Sequence, residues 1–152
     1  MHHKAWRTAR KYGYRSGLEL TIAEKLKTDK VSFRYEAVKI EWQDLAYRTY
    51  TPDFVLDNGI IIETKGIFDS EDRRKHLAIK EQHPELDIRF VFSNSKAKLY
   101  KGAKSKYFEW CDKYGFKWAH RVIPYDWLKE DGKAIRTKKI PFKGEKKDQD
   151  NK

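Results

Sequence analysis

The sequence predicts an α/β fold of the mixed α+β kind, a mixed β-sheet flanked by helices. Three observations lead there. Stretches with helical and with strand character interleave along the chain without the regular alternation of βαβ units. Two short apolar, β-branched runs, Phe54-Val55-Leu56 and Ile60-Ile61-Ile62, flank turn chemistry at Asp57-Asn58-Gly59. A further run, Ile88-Arg89-Phe90-Val91-Phe92, has the composition of a buried strand. No internal repeat and no zinc-spaced Cys/His set offers a competing architecture.

Residues 1–12 lack apolar periodicity and read as a flexible basic N-terminal arm. A first helix starts at Ser16, where Leu18, Ile22 and Leu26 recur every four residues, Ala23 widens the stripe, and Lys25 and Lys27 fall off it. Ser16-Gly17-Leu18-Glu19 is also a capping box, in which Glu19 folds back onto the Ser16 amide. Read from the residues alone, capping is the role of Glu19. A first strand follows over Phe33 to Ile40. From Glu41 to Tyr50 no Gly or Pro breaks the chain, so no tight reversal is signalled and an extended connector is expected over 41–50.

Beyond Gly66, a helix begins near Asp69 or Ser70 and ends before Pro84, with Leu77, Ala78 and Ile79 on its apolar face. A helix over about Lys104 to Tyr114, ended by Gly115, leads to a short strand at Phe116 to His120. Pro124-Tyr125-Asp126-Trp127-Leu128 makes a final helical turn, and 129–152 is a basic polar tail. The segment 13–128 is then the single folded domain of a 152-residue chain, long enough for one real core and not for two.

Charge narrows the function. With 34 basic and 23 acidic residues the net charge is +11, which favours a polyanionic partner. The excess gathers at the ends. Residues 1–16 hold Lys4, Arg7, Arg10, Lys11 and Arg15 without an acid, and 129–152 hold nine basic against five acidic residues. A generic solubility device would also be basic, but basic ends around a balanced centre suit a nucleic-acid binder better. Aromatic residues make up 14%, which argues against a disordered chain. No apolar run is long enough to span a bilayer and no signal peptide precedes the basic start, so a cytoplasmic, non-secreted protein away from membranes is expected. The single cysteine, Cys111, sits in the helix-like Tyr107-Phe108-Glu109-Trp110-Cys111, where it reads as packing rather than a nucleophile, and it excludes an internal disulfide. His2 and His3 carry no assigned role.

The chemistry concentrates on Thr51 to Lys65. If Asp57-Asn58-Gly59 is a three-residue loop with Gly59 at positive φ, Leu56 faces Ile60 and Asp53 faces Glu63. Lys65, two residues beyond Glu63, then shares their face. A two-residue loop at Asn58-Gly59 would slip the register and turn the two carboxylates to opposite faces. Two carboxylates and an ammonium together are costly to bury without a task or a partner. Hard oxygen ligands at this spacing suit Mg²⁺ or Mn²⁺, and a lysine there can hold an attacking water or meet charge building on a phosphate. The plain alternative is a solvated salt-bridge cluster, since a bare D…ExK match is short and common.

Pro52-Asp53, nine residues, then Glu63-Thr64-Lys65 resembles the PD-(D/E)xK signature of the restriction-endonuclease-like nucleases. Together with Arg15-Ser16-Gly17-Leu18-Glu19, Thr51-Pro52-Asp53-Phe54, Glu63-Thr64-Lys65-Gly66 and His83-Pro84-Glu85-Leu86-Asp87-Ile88-Arg89, the text resembles the bacteriophage endonuclease I family of Holliday-junction resolvases over roughly 12–128. The resemblance implies a restriction-endonuclease-like core in a domain-swapped homodimer, with the 41–50 connector bridging two composite sites. Each site would take Glu19 from one chain and Asp53, Glu63 and Lys65 from the other. It makes Glu19 an active-site acid despite its capping position.

The activity so implied is metal-dependent endonucleolytic cleavage of branched DNA, four-way junctions foremost. Asp53 and Glu63 would ligate one or two Mg²⁺ or Mn²⁺ ions, the Thr64 carbonyl would add a ligand, Glu19 would complete a second site, and Lys65 would orient or help deprotonate water. No organic cofactor is implied. DNA contacts are expected from Arg7, Arg10, Lys11 and Arg15, from Arg73, Arg74, Lys75 and His76, and from Lys96, Lys98 and Lys101 near Tyr100. The rivals are a restriction or repair nuclease acting on linear duplex and a basic nucleic-acid-binding protein without catalysis.

Overall fold

The computed structural model describes residues 9–43, 47–132 and 140. Its strands are β1 (Phe33–Tyr35), β2 (Ile40–Gln43), β3 (Tyr47–Tyr50), β4 (Phe54–Leu56), β5 (Ile61–Lys65), β6 (Ile88–Phe92) and β7 (Trp118–His120). The helices described in full are α1 (Gly17–Thr28), α2 (Ser70–Gln82), α3 (Tyr107–Tyr114) and α4 (Tyr125–Leu128). The central sheet has five strands in the order β1-β4-β5-β6-β7. Pairing is antiparallel from β1 through β5 and parallel from β5 through β7, so the sheet is mixed.

Period-two alternation splits the core into two layers, one on each face of the sheet. Phe54, Leu56, Ile62 and Val91 join Ile22, Ala23 and Leu26 of α1 in the first. Val55, Ile61, Phe90 and Phe92 join Ile79 of α2 and Trp110 and Cys111 of α3 in the second. Covered on both faces, β4 and β6 bury every residue. Even Arg89 of β6 is 1% exposed. Its guanidinium is held between Asp87 and Glu130 and lies against the Trp127 ring, which ties the start of the expected tail to the sheet. Ala9 and Ile140, the outermost described residues, are also buried in the core.

The 54–62 hairpin adopts the three-residue loop. Phe54 pairs with Ile62 and Val55 with Ile61. The Gly59 amide donates to the Leu56 carbonyl at 2.9 Å, and Gly59 has φ 86°, open to glycine at no steric cost. Asn58 is buried within the loop and donates to the Trp127 carbonyl at 2.8 Å, which locks this loop against slippage.

Three expectations need correction. The strand expected over Phe33 to Ile40 ends at Tyr35, because Glu36 takes φ 47° and donates its amide to the Asp53 carbonyl at 3.1 Å. A left-handed residue ends extended pairing, and Ile40 belongs to β2 instead. The 41–50 connector is not extended in this chain. Ile40 pairs with Tyr50 and Trp42 with Arg48 in an antiparallel hairpin, of which 44–46 lie outside the described residues. The pairing satisfies backbone groups while Ile40, Trp42 and Tyr50 bury in the layer under α2. Finally, the capping box forms only in part. Ser16 Oγ accepts from the Glu19 amide at 3.0 Å, but the Glu19 carboxylate accepts from the Arg15 amide rather than that of Ser16.

The remaining elements lie close to expectation. Asp69 caps α2, accepting from the Asp72 amide, and Gly115 ends α3 at φ 78°. No helix among the described residues is long and apolar enough to cross a membrane.

Candidate active site

Continuing the β4–β5 register from Phe54 and Ile62 places Asp53 opposite Glu63, with Lys65 further along the same face. All three open onto one cleft of about 1160 Å³ at the end of the central sheet. The three parallel strands run out there, supplying Lys65 at the end of β5 and Gly66 beyond it, Ser93 after β6 and Arg121 after β7. The start of α1 brings Arg15, Ser16 and Glu19 to the opposite wall. Glu36 and Lys39 come from the link between β1 and β2, and Lys75 from α2. The cleft thus has an acidic floor and a basic rim.

Each acid is held. Asp53 Oδ2 accepts from the Thr64 amide at 2.8 Å and from the Thr64 hydroxyl at 2.7 Å. Glu19 Oε1 accepts from the Arg15 amide at 2.7 Å and from the Tyr35 hydroxyl at 2.7 Å. Glu63 Oε2 accepts from the Tyr50 hydroxyl at 2.8 Å, while its Oε1 lies 3.8 Å from Lys65 Nζ. Lys65 also pairs with Asp72 at 3.2 Å, and Arg15 with Glu36 at 2.9 Å. Glu19, Glu36 and Asp53 offer oxygen atoms all within 4.8 Å of one another. Such a set of hard donors fits a divalent cation such as Mg²⁺ or Mn²⁺. Glu36 was not singled out in the sequence, and the positive φ that aims it has no signature in a non-glycine residue.

The electrostatics suit a cation site. Burial, and next the Asp53 charge, push the Glu19 carboxyl up to about 7. Burial, and next Glu63, push Asp53 up to about 7. Burial also raises Glu63, against the opposing pull of Lys65. For Lys65 burial favours the neutral amine, yet Glu63 and Asp72 outweigh it and the pKa is raised, so the group is an ammonium.

A carboxyl whose pKa is higher in the fold than in the unfolded chain contributes stability below its unfolded pKa, and loses it as pH rises through the folded value. For Glu19 and Asp53 that window runs from 4.5 and 3.8 up to about 7. Metal-free protein should therefore lose stability between about pH 4 and pH 7, and saturating Mg²⁺ should restore it at the upper end. Thermal melts across this range with and without Mg²⁺ check it. A melting temperature indifferent to Mg²⁺ at neutral pH would contradict the arrangement.

The expected DNA contacts divide. Arg15 and Lys75 line the cleft. Arg10, Lys11 and Arg74 are exposed away from its lining, as are Lys96, Lys98 and Lys101. Arg73 is turned inward, donating to the Phe68 and Leu99 carbonyls at 2.6 and 3.1 Å. His76 must be corrected. It is 0% exposed, packed edge-on against Tyr50 and Phe90, and cannot reach a phosphate. It falls on the side of α2 that faces the sheet, three residues before Ile79. Arg7 lies outside the described residues. Cys111 is buried, and burial pushes its thiol up, away from thiolate chemistry. Lys39 and Arg121 were missed, being single basic residues that only the fold brings to the rim.

Comparison with known proteins identifies the family. The phage endonuclease I family model matches residues 1–148. Endonuclease I of Escherichia phage T7 is 49% identical over 140 residues, covering 91% of this chain and 94% of that protein. Endodeoxyribonuclease 1 of Enterobacteria phage T3 is 49% identical over 131 residues, covering 86% of each. With a match along nearly its whole length and the acidic cleft formed by the same stretches that carry the resemblance, the chain belongs to the phage endonuclease I family.

Proposed function

We propose that this protein is a divalent-metal-dependent DNA endonuclease that hydrolyses phosphodiester bonds in branched DNA, four-way junctions foremost. The observation that carries the reading is the convergence of Glu19, Asp53, Glu63 and Lys65 on one cleft rimmed by Arg15, Lys39, Lys75 and Arg121. The rim cations suit the phosphates on either side of the scissile bond. Asp53 and Glu63 would hold Mg²⁺ or Mn²⁺, with Glu19 completing the set. The Thr64 carbonyl would add a ligand, since in a strand it projects to the same edge as the Thr64 amide that reaches Asp53. One or two such ions, when bound, activate water and stabilise the leaving oxygen of an in-line displacement. Lys65, beside Glu63, would orient or help deprotonate the attacking water and offset the negative charge that builds on the phosphate.

The reading includes action in the cytoplasm of an infected host and a homodimer in which two sites make paired nicks across a junction. The β2–β3 hairpin, if opened, would become the extended bridge of a domain swap. Sedimentation at working concentration should give a dimer; an active monomer removes the exchange and leaves the chemistry standing.

The experiment for the function is incubation of a labelled four-way junction and its linear arms with the protein, with and without Mg²⁺. Cleavage confined to the junction and dependent on Mg²⁺ is expected. Equal cutting of the arms would make the protein a duplex nuclease, and inertness in both Mg²⁺ and Mn²⁺ would make it a binding protein.

A further inference from the structure

Two of the three glutamates that line the cleft, Glu63 and Glu19, are each gripped by a buried tyrosine. Tyr50, the last residue of β3 and 0% exposed, donates to Glu63 Oε2; Tyr35, the last residue of β1 and 2% exposed, donates to Glu19 Oε1. Neither tyrosine lines the cleft. Their rings are fixed in turn. Tyr50 meets His76 edge-on at 5.2 Å and 87°, with Lys75 Nζ 5.1 Å from its centroid. Both His76 ring nitrogens lack a hydrogen-bond partner, so this imidazole serves Tyr50 by packing alone. Tyr35 meets Tyr14 edge-on at 4.6 Å and packs on Phe54.

We infer that Tyr35 and Tyr50 are positioning residues of the active site, each hydroxyl fixing one oxygen of a glutamate so that the rest of the carboxylate faces the metal. The inference rests on the nuclease reading of the cleft. A glutamate has three rotatable bonds, and a carboxylate free to swing must be ordered when the cation binds. The hydroxyl removes that freedom beforehand. For Glu63 the consequence is visible: with Oε2 tied to Tyr50, Oε1 is left on the Lys65 side. For Glu19, Oε1 is taken by both Arg15 and Tyr35, and the carboxylate is presented to Asp53. The hydroxyl is also a neutral donor, so it steadies the carboxylate without cancelling the charge the cation needs, as a lysine or arginine would. The plainer account is that each buried hydroxyl needs an acceptor and the glutamate happens to supply one.

Phenylalanine at either position separates the two, since it keeps the ring and removes only the hydroxyl. The test compares the unsubstituted protein with Tyr35→Phe and Tyr50→Phe by calorimetric Mn²⁺ titration of metal-free protein, thermal melting, and junction cleavage against Mg²⁺ concentration. Partners of metal ligands contribute about 10–100-fold to metal affinity or activity, and a loss of Mn²⁺ affinity in that range is expected. Cleavage should fall in kcat at limiting Mg²⁺ with KM for the junction unchanged, and recover as Mg²⁺ is raised. Mn²⁺ isotherms superimposable on those of the unsubstituted protein, with only the melting temperature lowered, would overturn the inference in favour of packing. If the unsubstituted protein neither takes up Mn²⁺ nor cleaves, the nuclease reading falls and the inference with it. The tyrosines sit in different layers, so a variant that fails to fold leaves the other to decide.

Discussion

The Glu63→Ala protein should bind a four-way junction nearly as tightly as the unsubstituted chain and cut it at least about 10²–10³-fold more slowly, the loss typical of removing one group that stabilises the reacting charge. Glu63 is buried in the cleft, 5% exposed, between the Tyr50 hydroxyl and the Lys65 ammonium. Its removal takes away a proposed metal ligand and leaves Lys65 its ion pair with Asp72. On the proposed reading DNA binding rests on the cationic rim, which the substitution does not touch, and one negative charge fewer near the phosphates works in its favour. Alanine also strands the buried Tyr50 hydroxyl, at a cost of roughly 1–3 kcal/mol. Glu63→Gln is therefore the companion variant, keeping an acceptor for Tyr50 while weakening the grip on the cation. Single-turnover cleavage and electrophoretic binding measure the two properties separately. Undiminished nicking by Glu63→Ala in Mg²⁺ would refute the assignment.

A loss of about 3–5 kcal/mol in unfolding free energy is expected for Phe68→Ala, the range for deleting a buried aromatic ring. Phe68 is 0% exposed and its ring meets Phe90, Phe92, Tyr107 and Trp110 at centroid distances of 4.9 to 5.7 Å. No polar group can fill the space, and four rigid rings collapse poorly into a cavity. Phe68 lies only three residues beyond Lys65, and its amide accepts no slack, donating to the Tyr107 hydroxyl at 3.2 Å. The segment carrying Lys65 is thus pinned to α3 through this ring. Denaturant titration gives the stability change, and a cost below about 1 kcal/mol would show that the layer repacks. Phe68→Leu, which keeps most of the apolar volume, should recover much of the loss.

The reading of the hairpin shows what a sequence can carry. Asp57-Asn58-Gly59 between β-branched runs marks the turn, but two registers stay open from these residues: the three-residue loop that faces Asp53 to Glu63 and the two-residue loop that turns them apart. The buried Asn58, tied to the distant Trp127 carbonyl, holds the first. The starts of α1 and α2 were legible locally, since Ser16 and Asp69 cap amides only three residues away. Glu19 is the mixed case. Its place in the first turn of α1 is a local matter, but from the residues alone it reads as a cap, and only the family resemblance points it to the active site.

What local rules could not reach was settled by contacts between distant segments. The β2–β3 hairpin turns without Gly or Pro because Ile40, Trp42 and Tyr50 gain a buried layer under α2 that no short window reveals. Glu36 enters the cleft through a left-handed backbone held by the Asp53 carbonyl. His76, read as part of a basic face, lies inside because α2 lays that side on the sheet. By itself the sequence determined the acidic hairpin and the charge of its partner, consequences of turn chemistry and composition, while its register was left between two loops. The tertiary structure alone decided which side chains complete the cleft, because burial and facing depend on packing between segments tens of residues apart.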